Sequence, residues 1–193
     1  MEKINRSIIN RSTLMKMHAL LAAFILPVAI MFVVTGALYT WGIKGGYETT
    51  TYEIQLEKPI QGELTELLAL AKDELNKQNI APPSGQASIK KMGSSLLLEW
   101  TGSKIDVVVE PTFQPLVATL EIKNTSWHRQ FVQLHKAKGG TPFKVYAAAF
   151  AIALLLLLVS GFIMAWLTPK LRKLTIASAI LGVVLFIAMV ITS

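Results

Sequence analysis

Three histidines supply all the imidazole in this chain, and each stands at the border of a long apolar run. His18 opens the first run, while His128 and His135 lie on the short segment leading into the second. Imidazole is the commonest metal ligand and a standard axial ligand of haem iron. Histidine kept only at such borders points to a redox cofactor held there. His128 and His135 are seven residues apart, which on a helix places them within about 20° of one face, with Phe131 between them. The chain has no cysteine. That excludes cysteine-ligated iron–sulfur clusters, thiol chemistry, disulfides and haem attached through C-x-x-C-H, so any haem is held non-covalently.

A second pattern occurs twice. Thr35-Gly36 is followed by Trp41, and Ser160-Gly161 by Trp166, both reading Ser/Thr-Gly-x4-Trp. Glycine in an apolar helix lets another helix, or a flat cofactor, approach the backbone closely. Tryptophan at that distance suits the membrane–water interface. Helix packing and cofactor binding are both open readings of this repeated device.

The elements that must position these residues follow from composition. The chain of 193 residues is 52% hydrophobic and 16% charged, on the membrane side of the globular range. Met17–Trp41, Val145–Leu167 and Leu174–Thr192 carry no charged residue over 25, 23 and 19 positions. A bilayer core about 30 Å thick needs about 20 helical residues, so each run spans it as a helix. The first run is longer than a secretory signal's apolar stretch and reads as an uncleaved anchor. Pro27 is expected to kink it. Lys3, Arg6, Arg11 and Lys16 precede the first run, and Lys170, Arg172 and Lys173 fill a loop between the last two. The segment Gly42–Lys144 is nearly neutral, with 12 basic and 11 acidic residues. The positive-inside bias therefore places residues 1–16 and the loop 168–173 in the cytoplasm and the middle segment outside. The basic balance reports topology; no basic patch interleaved with aromatics points to nucleic acid.

Between the first two spans, residues 43–125 read as a small α+β domain. Tyr52, Ile54 and Leu56 alternate with polar residues over Thr50–Glu57, a strand pattern. Leu64, Leu67, Leu68, Ala71 and Leu75 share one face of a helix over Glu63–Asn79. Strands are expected at Ala87–Met92, Ser95–Thr101, Ile105–Glu110 and Leu116–Ile122, separated by Gly-Ser and Pro turns. One helix on an antiparallel sheet of four or five strands is the expected architecture. The domain has no Ser/His/Asp set, no HExxH and no phosphate loop. Glu48, Glu53 and Glu57 are hard oxygen ligands in principle, though a solvated strand face is the plainer reading. Ser126–Lys138 forms a short amphipathic helix capped by Ser126 and ended by Gly139-Gly140 and Pro142. The fold class is thus a three-span α-helical membrane protein with a small extracytoplasmic α+β domain.

Certain stretches carry a family likeness. "MKMHALLAAFILPVAIMFVVTGALYTWG" has a histidine at the start of the first span and a T-G-x-L turn near its end. "WHRQFVQLHKAKGGTPFKVYAAAFAIALLLLLVSGFIMAW" has L-H-[RK] just ahead of the second span. With the α+β domain between them, these resemble the PepSY-associated transmembrane family over roughly residues 14–167. The resemblance implies a haem-binding reductase of the bacterial inner membrane that reduces ferric iron or a ferric chelate in the periplasm. It also implies support for a ferrous iron transporter. His18, His135 and His128 would then be candidate ligands of a non-covalent haem b, one or two per dimer. The arginine that often follows the first-span histidine is Ala19 here, which leaves Arg129 or Lys136 to meet a haem propionate.

Geometry then constrains the pairing. His18 lies at the cytoplasmic end of its span and His135 near the external end of the next, and a helix of 24 residues is about 36 Å long. They do not share one iron within one chain. His128 and His135, about 10 Å apart along one helix, need a bend to do so. A two-fold homodimer brings each residue opposite its own copy, giving one site with His18 from both chains and another with His135, or His128 with His135. No nucleotide or flavin motif is present, so electrons would come from a quinol, a soluble flavin or another protein. Two other functions fit the same residues: an accessory or sensor protein whose external domain binds a partner, and a haem-handling chaperone.

Overall fold

Long apolar runs and short alternating ones build different parts of this chain. A computed structural model describes residues 11–60, 62–92 and 95–193. They fall into two units, one ending at Ala29 and resuming over Ala148–Ser193, the other covering Ile30–Ala147.

Three helices are long and apolar enough to cross a membrane. Helix α1 covers Arg11–Thr40 and runs on through Pro27. Helix α4 covers Thr141–Trp166 and α5 covers Pro169–Thr192. The expected break before the second span lies between His135 and Thr141, and Pro142 sits in the first turn of α4, where its missing N–H costs nothing. The expected basic loop is also shorter than its sequence suggests. Lys170, Arg172 and Lys173 belong to the first turns of α5, and only Leu167 and Thr168 separate it from α4. Pro169 explains this, since proline at a helix start sets φ for the turn that follows. The side chains of α5 are mostly exposed and none is buried, the state of a helix whose apolar surface meets lipid rather than a protein core.

Within Ile30–Ala147 the strands are β1 (Tyr47–Gln55), β2 (Ala87–Met92), β3 (Ser95–Trp100), β4 (Ile105–Pro111) and β5 (Val117–Thr125). They form one antiparallel sheet in the order β1-β5-β4-β3-β2. Helix α2 (Leu64–Lys77) connects the two edge strands and packs on one face. Period-2 alternation selects what lies beneath it. Ile54, Leu98, Trp100, Ile105, Val107, Val109, Ala118, Leu120 and Ile122 meet Leu67, Ala71 and Leu75 in one core. Expected and observed strands agree to within about three residues at each end. Glu48, Glu53 and Glu57 are exposed, as a solvated strand edge requires.

The other face of the sheet receives α3 (Trp127–His135), whose Val132 and Gln133 are buried. Ser126 caps it, its side chain accepting from the Arg129 amide. The helix stops three residues earlier than its amphipathic pattern suggests. Ala137 takes φ +57°, and the Lys138 amide closes the end by donating to the Gln133 carbonyl at 3.0 Å. His135 is thereby the last helical residue.

Candidate functional site

His18 sits half-buried on α1, and its Nδ1 lies 2.9 Å from Ser160 Oγ on α4. The next residue, Gly161, leaves room for the ring, for a Cβ there would stand 3.5 Å from His18 Cε1. His18 also lines two cavities. One of about 330 Å³ includes Met15, Met164 and Thr168. The other, of about 520 Å³, is walled by apolar side chains such as Leu14, Phe24 and Leu156.

His135 repeats the arrangement with different elements. Its Nδ1 lies 2.8 Å from Thr35 Oγ1 on α1, and a Cβ at Gly36 would stand 3.3 Å from His135 Cε1. Phe32 packs on the ring with centroids 4.8 Å apart. A cavity of about 320 Å³ is lined by Thr35, Gly36, Tyr39, Val132, His135 and Lys136. In both places a hydroxyl holds Nδ1 and the following glycine accepts the Nδ1–Cε1 edge of the ring. Among the described residues neither histidine has a hydrogen-bond partner at Nε2.

Thus the two Ser/Thr-Gly pairs that the sequence repeats are histidine seats. The packing reading holds there, because each glycine faces an imidazole from another helix. His128 has no such seat. It packs beside Trp127, with ring centroids 5.8 Å apart, its buried Nε2 has no hydrogen-bond partner, and it does not line the His135 cavity. No cluster of three or more His, Asp or Glu side chains suited to a metal ion occurs among the described residues.

A buried polar network fixes the helix that carries His135. Asp106 on β4 accepts through Oδ2 from the Tyr47 hydroxyl and Gln133 Nε2, both at 2.9 Å, and through Oδ1 from the Gly102 amide at 2.9 Å. Arg129 donates to the Tyr47 hydroxyl at 2.6 Å and to the Lys44 carbonyl at 3.3 Å, and its guanidinium stacks over the Tyr47 ring. Burial raises the Tyr47 phenol above its ordinary pKa and keeps it a donor, while the Arg129 hydrogen bond pulls the other way. Gly45 lets the strand start close beneath α3. Its φ is +70°, and a Cβ would come within 2.7 Å of the Arg129 amide. Of the two cations expected to meet an anionic group, Arg129 is thus engaged in docking α3. Lys136 lines the His135 cavity, its Nζ 5.6 Å from the Tyr39 ring centroid.

The family model for the PepSY-associated TM region matches residues 3–168. The chain belongs to this family. No curated protein and no solved structure matches it. Both histidine seats lie within the matched stretch, which ends where α5 begins. Three candidate spans and the antiparallel domain make it a membrane protein with a β-rich domain inserted between its first two spans.

Two kinds of residue escaped the sequence reading. Tyr47, Asp106 and Gln133 have no motif, although Asp106 is the lone acid in the apolar strand Ile-Asp-Val-Val-Val and that alone marks it as paired. Thr35 and Ser160 were visible as a repeat, but their histidine partners lie 100 and 142 positions away.

Proposed function

We propose that this protein is a haem-dependent reductase of the inner membrane that passes electrons outward to reduce ferric iron, or a ferric chelate, for ferrous uptake. The observation that carries the reading is the duplicated seat, in which a hydroxyl holds Nδ1 and Nε2 has no partner among the described residues. Ligating histidines characteristically bond their second nitrogen in this way. The residues suit haem in two further respects. The glycine floors hold no side chain against the ring, and the walls around His18 are apolar, as a porphyrin face requires. Bound haem would supply one-electron transfer, with potentials set by axial ligand, burial and hydrogen bonding.

His18 and His135 would hold the haem in this reading, His18 toward the cytoplasm and His135 toward the outside by the positive-inside bias. Each cavity is lined by one histidine, so a second copy of the chain would have to supply the other imidazole, as a two-fold interface does. Lys136 meets an anionic group at the outer cavity, and the neighbouring Lys44, 5.2 Å from the Tyr39 ring centroid, adds positive charge there. The donor is a quinol, a flavin or a partner protein.

The deciding measurement is an absorption spectrum of the purified full-length protein from haem-replete cells, with haem stoichiometry per chain. A b-type Soret band, reduced by donor and reoxidised by ferric citrate, is the expected result. A colourless protein overturns the proposal. The tighter glycine floor makes a graded prediction. Gly36→Val would force the His135 ring off Thr35 and lower haem content sharply, whereas Gly161→Ala, at ordinary contact distance from His18, would leave haem content nearly unchanged. Haem quantified per chain in the two variants checks this ranking.

A further inference from the structure

A hydroxyl carries one proton and two lone pairs, and in both seats that proton has another acceptor close by. Thr35 Oγ1 donates to the Met31 carbonyl at 2.6 Å. Ser160 Oγ donates to the Leu157 carbonyl at 3.0 Å. A hydroxyl that keeps its proton on that carbonyl faces its histidine with lone pairs only, and the contacts at 2.8 and 2.9 Å then place the proton on Nδ1. A neutral imidazole with its proton on Nδ1 has a bare Nε2.

We infer that Thr35 and Ser160 are positioning residues that set the tautomer of His135 and His18, by spending their own proton on their own helix backbone. The backbone of α1 and α4 thus decides which imidazole nitrogen is free to bind a metal. The glycine beside each hydroxyl gives the ring its place: a Cβ at Gly36 would crowd His135 Cε1 at 3.3 Å, and one at Gly161 would meet His18 Cε1 at ordinary contact, 3.5 Å. Histidine rings in solution favour the other tautomer modestly, so the hydroxyl's orientation has a measurable effect. The tautomer stands on hydrogen-bond geometry alone. Its consequence, stronger ligation of haem iron, rests on the function proposed above.

The test is ¹⁵N spectroscopy of the full-length chain, prepared without haem and labelled at histidine. Protonated Nδ1 and bare Nε2 signals are expected for His18 and His135. Thr35→Val is close in shape, and Ser160→Ala removes only the hydroxyl. Each should move its own histidine toward a mixture of tautomers and leave His128, which lies outside both seats, unmoved. Thr35→Ser and Ser160→Thr should restore the wild-type signals, which separates loss of the hydroxyl from loss of fold. When haem is added, Thr35→Val and Ser160→Ala should bind it about 10–100-fold more weakly and with a shifted midpoint potential.

Protonated Nε2 in the wild-type chain overturns the inference, as does a tautomer unaffected by either variant. Unchanged haem affinity and potential in both variants overturn its consequence. A wild-type chain that shows the expected tautomers but binds no haem refutes the proposed function while leaving the tautomer assignment standing.

Discussion

Under the proposed function, His135→Ala is expected to remove an outer haem and abolish reduction of external ferric iron, while His18→Ala spares that haem and blocks only its supply of electrons from inside. Alanine offers no ligand, and in a two-fold site one substitution removes both imidazoles at once. With two haems per dimer, each held by a different histidine as proposed, the Soret absorbance per chain should fall by about half in either single variant and vanish in the double variant. Activity separates the two. A membrane-permeant donor added to proteoliposomes reaches both sites, so His18→Ala retains reduction of ferric citrate under that condition and His135→Ala does not. An inside-only donor supports neither variant. His128→Ala should keep both haems, because His128 does not line the His135 cavity. Equal haem content in wild type and His135→Ala would remove the basis of the outer site.

The second large effect lies away from any cavity. Asp106→Ala is expected to destabilise the β-rich domain and to release α3, carrying the outer site with it. Three donors converge on this carboxylate: the Tyr47 hydroxyl, Gln133 Nε2 and the Gly102 amide. Gln133 and Asp106 are buried, so water does not replace the lost acceptor freely. Each stranded buried donor costs about 1–3 kcal/mol, and the variant should lose on the order of 3–5 kcal/mol, in the range seen when one partner of a buried polar network is removed. Arg129 also loses part of its hold, because its partner Tyr47 is oriented by the same carboxylate. Thermal unfolding of the purified protein measures the destabilisation. Haem content then gives the functional reading, since the His135 haem should be lost and the His18 haem retained. Asp106→Asn keeps the shape and one acceptor oxygen, so it should fall between wild type and alanine. A wild-type melting profile in Asp106→Ala would show that α3 is held by apolar contacts alone.

These two variants approach His135 from opposite directions, one deleting the ligand and the other loosening the helix that ends on it. Their agreement in spectrum and difference in unfolding would separate ligation from support. The inserted domain thereby acquires a role in this protein. Its sheet is the platform on which α3 is fixed, through β4 and β1, with Gly45 allowing the close approach. That role explains why the domain has the short apolar core of a scaffold and exposed acids on its rim.

Much of this architecture is legible in local patterns, for a physical reason. Transfer of a side chain between water and an apolar medium depends on that side chain alone, so uncharged runs and period-2 alternation mark spans and strands without knowledge of their neighbours. Tyr52, Ile54 and Leu56 point inward as their spacing requires. Element ends were less legible because they depend on backbone closure. Ala137 at positive φ ends α3 early, and Pro169 starts α5 among residues whose charges suggest a loop.

The amino-acid order by itself determined the three spans, the antiparallel domain, and the chemistry available at the membrane borders: three imidazoles and two hydroxyl–glycine pairs. Only the tertiary structure decided which imidazole each hydroxyl holds, leaving His128 without one, and which buried carboxylate anchors the helix before the second span. Those decisions join residues 100 and 142 positions apart. A hydrogen bond depends on distance and direction between atoms, and no pattern along the chain encodes either until the helices and strands have packed.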